Sequence, residues 1–211
     1  MCAMGIVDCG HNLRIKSSEY DASYCGYGEA YPKRSIHMWY VIQTTTGQEE
    51  ILVEMMRKIL SKELYRDCFY IKRECAIKQK SSWEICQKAL FPGYVFIDTD
   101  FPKELYYELK NVPKLTKLLK NEEEVFLKVE EEEQKFLENI QSEGHLVRRS
   151  LVKLDEEKQI VAAEGAVGKY FEYIIKQRIR KRYVLIRQQF LGKDREIILG
   201  IRLEDDPEGK R

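Results

Sequence analysis

The hydrophobic positions divide the first half of the chain into a strand, a helix and a hairpin. The segment "WYVIQ" at 39–43 has the aromatic and β-branched residues of a strand. Apolar residues then recur at helical spacing and predict one amphipathic helix over roughly 47–64. Two further segments, 68–79 and 83–100, are rich in strand-forming residues. The polar residues between them predict a turn, so these two segments are expected to pair as a hairpin.

Two shorter helical patterns follow the hairpin, at 102–110 and 131–140. Thr46 and Glu49 have the spacing of a capping box at the start of the first helix. The segment 112–120 fits either a helix or a strand. The order of strand, helix, hairpin, helix, strand and helix predicts an α+β sandwich of about 105 residues with an antiparallel sheet.

The second half of the chain contains short strand-like runs separated by glycines. The runs lie at 150–155, 159–165, 169–176, 182–190 and 195–203. Five short strands within about 55 residues predict a small β-barrel. A helical interpretation of 170–191 stays open, because short apolar runs do not decide the period. The β-branched residues and the glycines favour strands.

These patterns predict two domains joined by a short polar linker. The predicted division is an N-terminal domain at 38–141, a linker at 142–149, a C-terminal domain at 150–204 and a tail at 205–211. Residues 1–37 lack a sustained apolar period and are expected to be a poorly ordered extension. Met38 stands directly before the first strand, so a translation start assigned too far upstream is the alternative.

The charges are balanced overall but unevenly distributed along the chain. The 36 basic and 35 acidic residues leave a formal net charge of +1. Residues 169–195 nevertheless contain nine Lys and Arg against only Glu172 and Asp194. An anionic partner is therefore expected to meet the C-terminal part first. The sequence has no apolar run long enough to span a membrane and no signal-peptide pattern, which predicts a cytoplasmic protein without a membrane partner.

Candidate metal ligands and catalytic groups are sparse. The six cysteines form no CxxC pair, and His11, His37 and His145 are far apart in sequence. Zinc sites need clustered ligands, so no metal site is predicted and the thiols are expected to be reduced. The sequence also lacks a recognisable catalytic triad, a P-loop and a Gly-rich dinucleotide turn. No cofactor and no enzymatic activity are therefore predicted.

Three segments carry a resemblance to a known family. The segments "MWYVIQTTTGQEE" at 38–50 and "LFPGYVFI" at 90–97 resemble signature strands of the NusG N-terminal domain. The segment "VAAEGAVGKYFEYIIK" at 161–176 resembles a KOW motif, with Ala166 and Val167 where the family has Pro-Leu. The resemblance covers roughly 38–204. It implies a NusG N-terminal-type α/β sandwich followed by a small SH3-like β-barrel, the KOW domain.

Within this family, two segments resemble the LoaP group of specialised transcription antiterminators. They are "VPKLTKLLK" at 112–120 and "KVEEEEQKFL" at 128–137. Members of this group engage RNA hairpins through the KOW region. The resemblance therefore implies an operon-specific antiterminator that acts as a monomer.

The resemblance implies that the N-terminal domain binds the clamp helices of RNA polymerase through an apolar face of its sheet. The residues that match the family's contacts, or lie near them, are Tyr40, Ile42, Phe91, Tyr94 and Phe96. Side chains alternate along a strand, so Tyr94 and Phe96 share one face while Val95 and Ile97 point to the other, where helices pack. The alternative is that these aromatic residues fill the domain's own core.

The cation-rich segment is the second candidate site. The predicted RNA-binding residues are Lys176, Arg178, Arg180, Lys181, Arg182, Arg187 and Lys193. Lys and Arg contacts to phosphate supply affinity that weakens with salt, and Arg also stacks on bases. A solvated charge run is the alternative. The hairpin cations Lys72, Arg73, Lys78 and Lys80 are candidates for contact with DNA near the transcription bubble.

Three other functions remain open at this point. A general NusG elongation factor would use its KOW domain for a ribosomal protein or the termination factor Rho. A ribosome-associated KOW protein would bind RNA without polymerase. An enzyme is the least favoured class. The sequence leaves open the target operon, and also whether the two domains pack together in an autoinhibited form.

Overall fold

The computed structural model describes residues 38–80, 82–111 and 126–206. In the first part of these residues, short strands alternate with three helices. The elements are β1 (Trp39–Gln43), α1 (Glu49–Ile59), β2 (Asp67–Phe69), β3 (Lys72–Gln79), β4 (Ser82–Ala89), β5 (Tyr94–Asp98), α2 (Pro102–Lys110), β6 (Leu127–Lys128), α3 (Glu131–Ile140) and β7 (Leu146–Val147). The ambiguous segment 112–120 and residues 1–37 lie outside the described residues.

The second part consists mainly of strands. Its elements are β8 (Ser150–Leu154), β9 (Ile160–Ala163), α4 (Gly165–Lys169), β10 (Ile174–Arg178), β11 (Tyr183–Phe190) and β12 (Lys193–Arg202). Two 3₁₀ helices, Phe171–Tyr173 and Ile179–Lys181, flank β10.

Four strands form an antiparallel N-terminal sheet in the order β2-β5-β1-β6. Helices α1 and α2 cover one face of this sheet, as the hydrophobic pattern predicted. Ile42 of β1 lies opposite Val95 of β5, and both are fully buried with Leu52 and Met56 of α1 and Leu105 of α2. The helices therefore bury the apolar half of their surface against alternate positions of the strands.

The other face of the N-terminal sheet belongs to a second and larger core. Val41 and Phe96 point to this side, where Phe136 and Leu137 of α3 pack. The same core continues through strands β11 and β12, for example through Ile186. The N-terminal sheet is thus covered on both faces, by helices on one side and by α3 with C-terminal strands on the other.

A separate three-stranded sheet contains the predicted hairpin. Strands β3 and β4 pair antiparallel over their whole length, and β7 pairs parallel to β3. Strand β8 begins at Ser150, so only Arg148 and Arg149 separate it from β7. Much of the segment predicted to be a linker is therefore held against the hairpin.

The C-terminal strands form a five-stranded sheet in the order β10-β11-β12-β8-β9, called here the C-terminal sheet. Its two edges approach each other, because the backbone N–H of Ile160 in β9 donates to Oε1 of Gln177 in β10 at 3.0 Å. The sheet is therefore barrel-like. The predicted fold class, α+β with an antiparallel sheet followed by a barrel-like unit, is confirmed.

The prediction of a strand at 169–176 was wrong for most of its length. Helix α4 and a 3₁₀ helix occupy this region, and the strand begins only at Ile174. The helical turn buries Val167 completely and lets its backbone N–H donate to Ser150 Oγ at 3.0 Å. Burial of an apolar side chain and a satisfied amide outweigh the local preference for a strand.

The predicted capping box at the start of α1 is also wrong. Glu49 accepts hydrogen bonds from the backbone N–H of Gly47 at 2.8 Å and of Gly93 at 2.6 Å. The N-cap position is Gln48, without a side-chain cap. The buried Glu49 carboxylate thus ties the residues before α1 to the turn before β5.

The crossing of β12 and β3 predicts a strong effect of Gly200. A Cβ atom at this position would lie 2.4 Å from the backbone oxygen of Glu74. We expect Gly200→Ala to lower the free energy of unfolding by about 3 kcal/mol, measured by urea titration. Gly192→Ala is the control, since its Cβ meets nothing within 4 Å and only its positive φ of 66° costs about 1 kcal/mol. Equal losses in the two variants would contradict the close approach.

Candidate functional site

Aromatic side chains cluster on the sheet face that lies away from α1 and α2. This cluster, called here the aromatic face, consists of Trp39, Phe69, Phe91, Tyr94 and Phe96. The ring centroids of Trp39 and Phe69 are 5.0 Å apart in an edge-to-face arrangement, and those of Phe69 and Phe96 are 5.6 Å apart and stacked. Aromatic pairs at these distances add stability beyond the area that they bury.

Phe190 at the end of β11 covers the aromatic face. Its ring stacks on Phe91 at 4.5 Å and lies 6.1 Å from Phe96 and 6.2 Å from Tyr94. Phe91, Phe96 and Phe190 are all buried. The sequence left two alternatives for these aromatics, an open surface or the domain's own core. In this structure they pack against the C-terminal sheet.

Polar contacts surround this apolar junction. The Arg195 guanidinium donates to Tyr94 Oη at 3.0 Å and lies 5.6 Å from the centre of the same ring. The backbone N–H of Arg149 donates to the buried carboxylate of Glu74 at 3.1 Å. Lys169 Nζ donates to the backbone oxygen of Asn139 at 2.8 Å. The junction therefore has an apolar centre and a polar rim, like a stable protein interface.

Tyr40 and Ile42 lie on the opposite face of the N-terminal sheet. Ile42 is fully buried under α1, and Tyr40 packs edge-to-face on Phe126 at 6.2 Å. Their placement beside Tyr94 and Phe96 was wrong, because Tyr40 pairs with Ile97 and Ile42 pairs with Val95. Directly paired residues share a face, so the two groups are separated by the thickness of the sheet.

Four of the predicted RNA-binding cations lie together and are exposed. Lys176 and Arg178 point outward from β10, and Arg180 and Lys181 belong to the 3₁₀ helix that joins β10 to β11. This group of four is called here the basic turn. It presents four positive charges within six residues, a density that suits a phosphate backbone.

Arg182 directly follows the basic turn but points into the structure. Its guanidinium donates to both carboxylate oxygens of Asp206, at 2.5 and 2.8 Å, and to the backbone oxygen of Ile179 at 2.8 Å. It also lies 4.8 Å from the centre of the Trp83 ring on the hairpin. These contacts give Arg182 a structural role, joining the C-terminal sheet to its own tail and to the hairpin.

Arg187 and Lys193 are separated from the basic turn. Lys193 follows the far end of β11, which spans eight residues and therefore about 25 Å. Arg187 lines a cavity of about 610 Å³ together with Asp194 and the acidic residues 130–133. The structure thus brings together only four of the seven predicted RNA-binding residues, and it places Arg187 among carboxylates.

The hairpin extends beside the basic turn. Lys78 lies opposite Trp83 in the register of β3 and β4, on the side that Arg182 contacts. Sequence reasoning named the hairpin cations but missed Trp83, Phe190 and Asp206. An aromatic residue beside a predicted turn was the only available signal for Trp83, and the sequence did not indicate what Phe190 would pack against.

Metal-binding and membrane-spanning features are not found among the described residues. No group of three or more His, Cys, Asp or Glu side chains in 38–80, 82–111 and 126–206 is arranged to hold a metal ion. None of the helices in these ranges has the length and apolar character required to cross a bilayer.

Residues 37–138 match the NusG family model, described as transcription termination factor nusG. The transcription termination/antitermination protein NusG of Helicobacter pylori strain 26695 is 27% identical over 86 residues, which cover 38% of this chain and 49% of the relative. The same-named protein of Rickettsia felis is 25% identical over 134 residues, covering 61% of this chain and 68% of the relative. The chain thus spans about half the length of the Helicobacter protein that it matches. The part of the chain at 37–138 is thus similar to NusG proteins.

The ion pair between Asp206 and Arg182 predicts a dependence of stability on pH. Burial opposes ionisation of Asp206, but hydrogen bonds from Arg182 and from the Leu203 amide outweigh it and lower the pKa of Asp206. The unfolded chain then takes up a proton near pH 4, before the folded chain does. Stability contributed by ionised Asp206 is therefore complete above about pH 4 and is lost as pH falls towards the folded pKa.

We expect Asp206→Asn to be less stable than the wild type at pH 7, and we expect this difference to be smaller at pH 3. Urea unfolding at both pH values measures it. Asp205→Asn, a change of the exposed neighbour, is the control. A difference between wild type and Asp206→Asn that stays the same at both pH values would contradict the role of this ion pair.

Proposed function

We propose that this chain, whose N-terminal part is of the NusG type, is a transcription factor that binds RNA polymerase and RNA. The family model over 37–138 and the NusG relatives, which are transcription termination/antitermination proteins, support this class. The proposal assigns no enzymatic activity to the chain. A factor that acts on bacterial RNA polymerase works in the cytoplasm, which is the proposed location.

The aromatic face is the proposed polymerase-binding surface, and the concentration of aromatic rings on one side of the N-terminal sheet is the observation that carries the proposal. Phe91, Tyr94 and Phe96 offer a continuous aromatic area of the kind that supplies most binding energy at protein interfaces. A partner gains access to this area only when the C-terminal sheet moves away. We therefore propose that the described arrangement is closed towards polymerase, and that opening precedes binding.

The basic turn is the proposed RNA-binding surface. The four cations of the basic turn are exposed on a strand and the turn that follows it. The sequence from 173 to 193 contains no Asp or Glu. Simultaneous contacts to nascent RNA and polymerase would raise the effective concentration of the factor at the elongating complex. This mechanism suits an operon-specific antiterminator of the LoaP type with a KOW domain at 150–204, an N-terminal domain at 38–141 and a linker at 142–149.

A general NusG-type factor whose C-terminal sheet binds a protein is the second candidate. Exposed apolar side chains in the C-terminal part of the chain favour it, namely Phe171, Tyr173, Ile175 and Val161. Exposed apolar surface is typical of protein-binding regions. A ribosome-associated RNA-binding protein would use the basic turn without the aromatic face. Binding assays with polymerase and with RNA separate these functions.

Removing charge from the basic turn should weaken RNA binding. We expect the double variant Arg178→Ala/Arg180→Ala to lower the affinity for a hairpin from the leader RNA of a neighbouring operon. The slope of the logarithm of the affinity against the logarithm of the salt concentration should become shallower by about one for each lost phosphate contact. Fluorescence anisotropy over a series of salt concentrations measures both quantities.

The matched control is Lys103→Ala/Lys153→Ala, which removes two exposed cations away from the basic turn. It should leave the affinity and its salt dependence almost unchanged. Equal effects of the two double variants would mean that the basic turn is not the RNA-binding surface. Binding of an unrelated hairpin tests whether recognition is selective, as operon-specific recruitment requires.

Opening of the aromatic face should strengthen polymerase binding. We expect Phe190→Ala to bind core RNA polymerase more tightly than the wild type, because the loss of its ring weakens the cover over Phe91 and Phe96. The same change should lower the free energy of unfolding by about 3–5 kcal/mol. Arg195→Ala, which removes only the rim contact to Tyr94, should act in the same direction with less loss of stability.

Phe171→Ala is the control for both variants, because Phe171 is an exposed aromatic residue of the same part of the chain. Co-sedimentation with polymerase measures binding, and readthrough of a terminator in a purified transcription reaction measures function. If the two interface variants bind polymerase no better than Phe171→Ala, the aromatic face is not the polymerase-binding surface.

A further inference from the structure

Two cysteines face each other across the hairpin. Cys75 of β3 and Cys86 of β4 are directly paired in the antiparallel register. Such pairs have Cα atoms about 4.5 or 5.5 Å apart, and both values lie within the 4.4–6.8 Å span of disulfide bonds. Both thiols are free in the structure. The strand register alone therefore places their Cα atoms at a separation found in disulfide bonds.

The Cys75 thiol already contacts its partner residue. Cys75 Sγ donates to the backbone oxygen of Cys86 at 3.2 Å. Burial, followed by a hydrogen bond with the Cys86 side chain and by its charge, raises the pKa of Cys75 to about 11, against the opposing effect of Arg73 and Lys88. The Cys75 thiol is thus protonated at neutral pH and in contact with its partner.

The two cysteines differ in access to solvent. Cys75 is buried, whereas Cys86 is only partly buried. Because an oxidant must reach a sulfur atom before it can react with it, the more accessible cysteine of the pair is Cys86. Cys86 is therefore suited to react first and Cys75 to resolve the product.

Cys68 provides a contrast within the same protein. It is fully buried under α1, its Sγ lies 3.8 Å from the Met56 sulfur, and burial raises its pKa to about 12. Its thiol is protonated at neutral pH and no solvent reaches it. Ordinary oxidants should leave it unchanged while the protein is folded.

We propose that Cys75 and Cys86 form a dithiol site that hydrogen peroxide converts to a cross-strand disulfide. The Cys86 thiolate attacks one peroxide oxygen, the O–O bond breaks, and the hydroxide that leaves is protonated to water. Cys86 becomes a sulfenic acid. The Cys75 sulfur then attacks the Cys86 sulfur, the S–O bond breaks, and a second water leaves with the Cys75 proton. The two sulfurs lose two electrons, which the peroxide gains.

The site lies away from the C-terminal sheet. Cys75 and Cys86 point to the hairpin face opposite to Glu74 and Trp83, since side chains alternate along a strand. Glu74 and Trp83 are the residues that meet Arg149 and Arg182. Oxidation therefore does not require the C-terminal sheet to move, and the proposal does not depend on polymerase or RNA binding.

Peptide mapping of the full chain tests this site. The folded protein is treated with hydrogen peroxide at neutral pH, denatured, blocked with N-ethylmaleimide and digested with trypsin without reduction. Cleavage after Arg73, Lys78, Lys80 and Lys88 separates the two cysteines into peptides 74–78 and 81–88. We expect these two peptides to be joined by a disulfide. Peptide 67–72 should carry unoxidised Cys68, labelled only after denaturation.

Two controls test whether the register is the cause. In Cys75→Ser, Cys86 has no resolving partner and should accumulate as sulfinic acid, whereas Cys68→Ser should leave the disulfide yield unchanged. Protein that is denatured in urea before the peroxide is added should lose the selective pairing. Cys86 found as sulfinic acid beside alkylated Cys75 in the wild type, or joined to Cys2, Cys9 or Cys25, would overturn the proposal.

Discussion

The stack of Phe190 on Phe91 turns two structural units into one hydrophobic core. An aromatic side chain buries about 150–250 Å², and at about 25 cal/mol per Å² each ring contributes at most 4–6 kcal/mol. The rings of Phe91, Phe96 and Phe190 lie within 4.5–6.3 Å of one another. The covered face, the position of the basic turn and the contact of Arg182 with the hairpin all depend on this junction.

This junction makes polymerase binding at the proposed surface and the intramolecular cover alternatives for the same area. The aromatic face cannot stay exposed without a cost comparable to the free energy of its burial. A competing partner must therefore offer at least as much apolar area as the C-terminal sheet, or bind a second site at the same time. In the proposed function, RNA at the basic turn provides such a second site, because the basic turn lies on the unit that must move.

The sequence predicted the local elements well because their signals are local. The helices Pro102–Lys110 and Glu131–Ile140 and the strand Trp39–Gln43 have the expected bounds. The strand at 169–176 was predicted too long, because α4 extends to Lys169, a 3₁₀ helix occupies Phe171–Tyr173, and the strand begins only at Ile174. The predicted capping role of Glu49 was wrong because of a long-range contact. Its carboxylate accepts a hydrogen bond from Gly93, which is 44 residues away.

The candidate site was harder to predict than the fold. Local alternation correctly assigned Tyr94 and Phe96 to one face, but the side occupied by Tyr40 and Ile42 depends on the register between two strands. Charge counting grouped Lys193 with Arg178 although the strand between them places them far apart. Nothing in the composition separates Arg182, which is paired with Asp206, from its exposed neighbours. These features arise from long-range pairing, which periodicity does not encode.

The pairing of β7 with β3 sets the length of the connection between the two units. While Leu146 and Val147 stay in the hairpin sheet, only Arg148 and Arg149 connect them to β8. Three Cα steps reach at most about 11 Å, whereas release of the whole segment 142–149 would allow about 30 Å. The volume open to the C-terminal sheet would then grow roughly 20-fold. The local concentration of the C-terminal sheet at the aromatic face would fall by the same factor. A two-residue strand thus governs how quickly the cover returns.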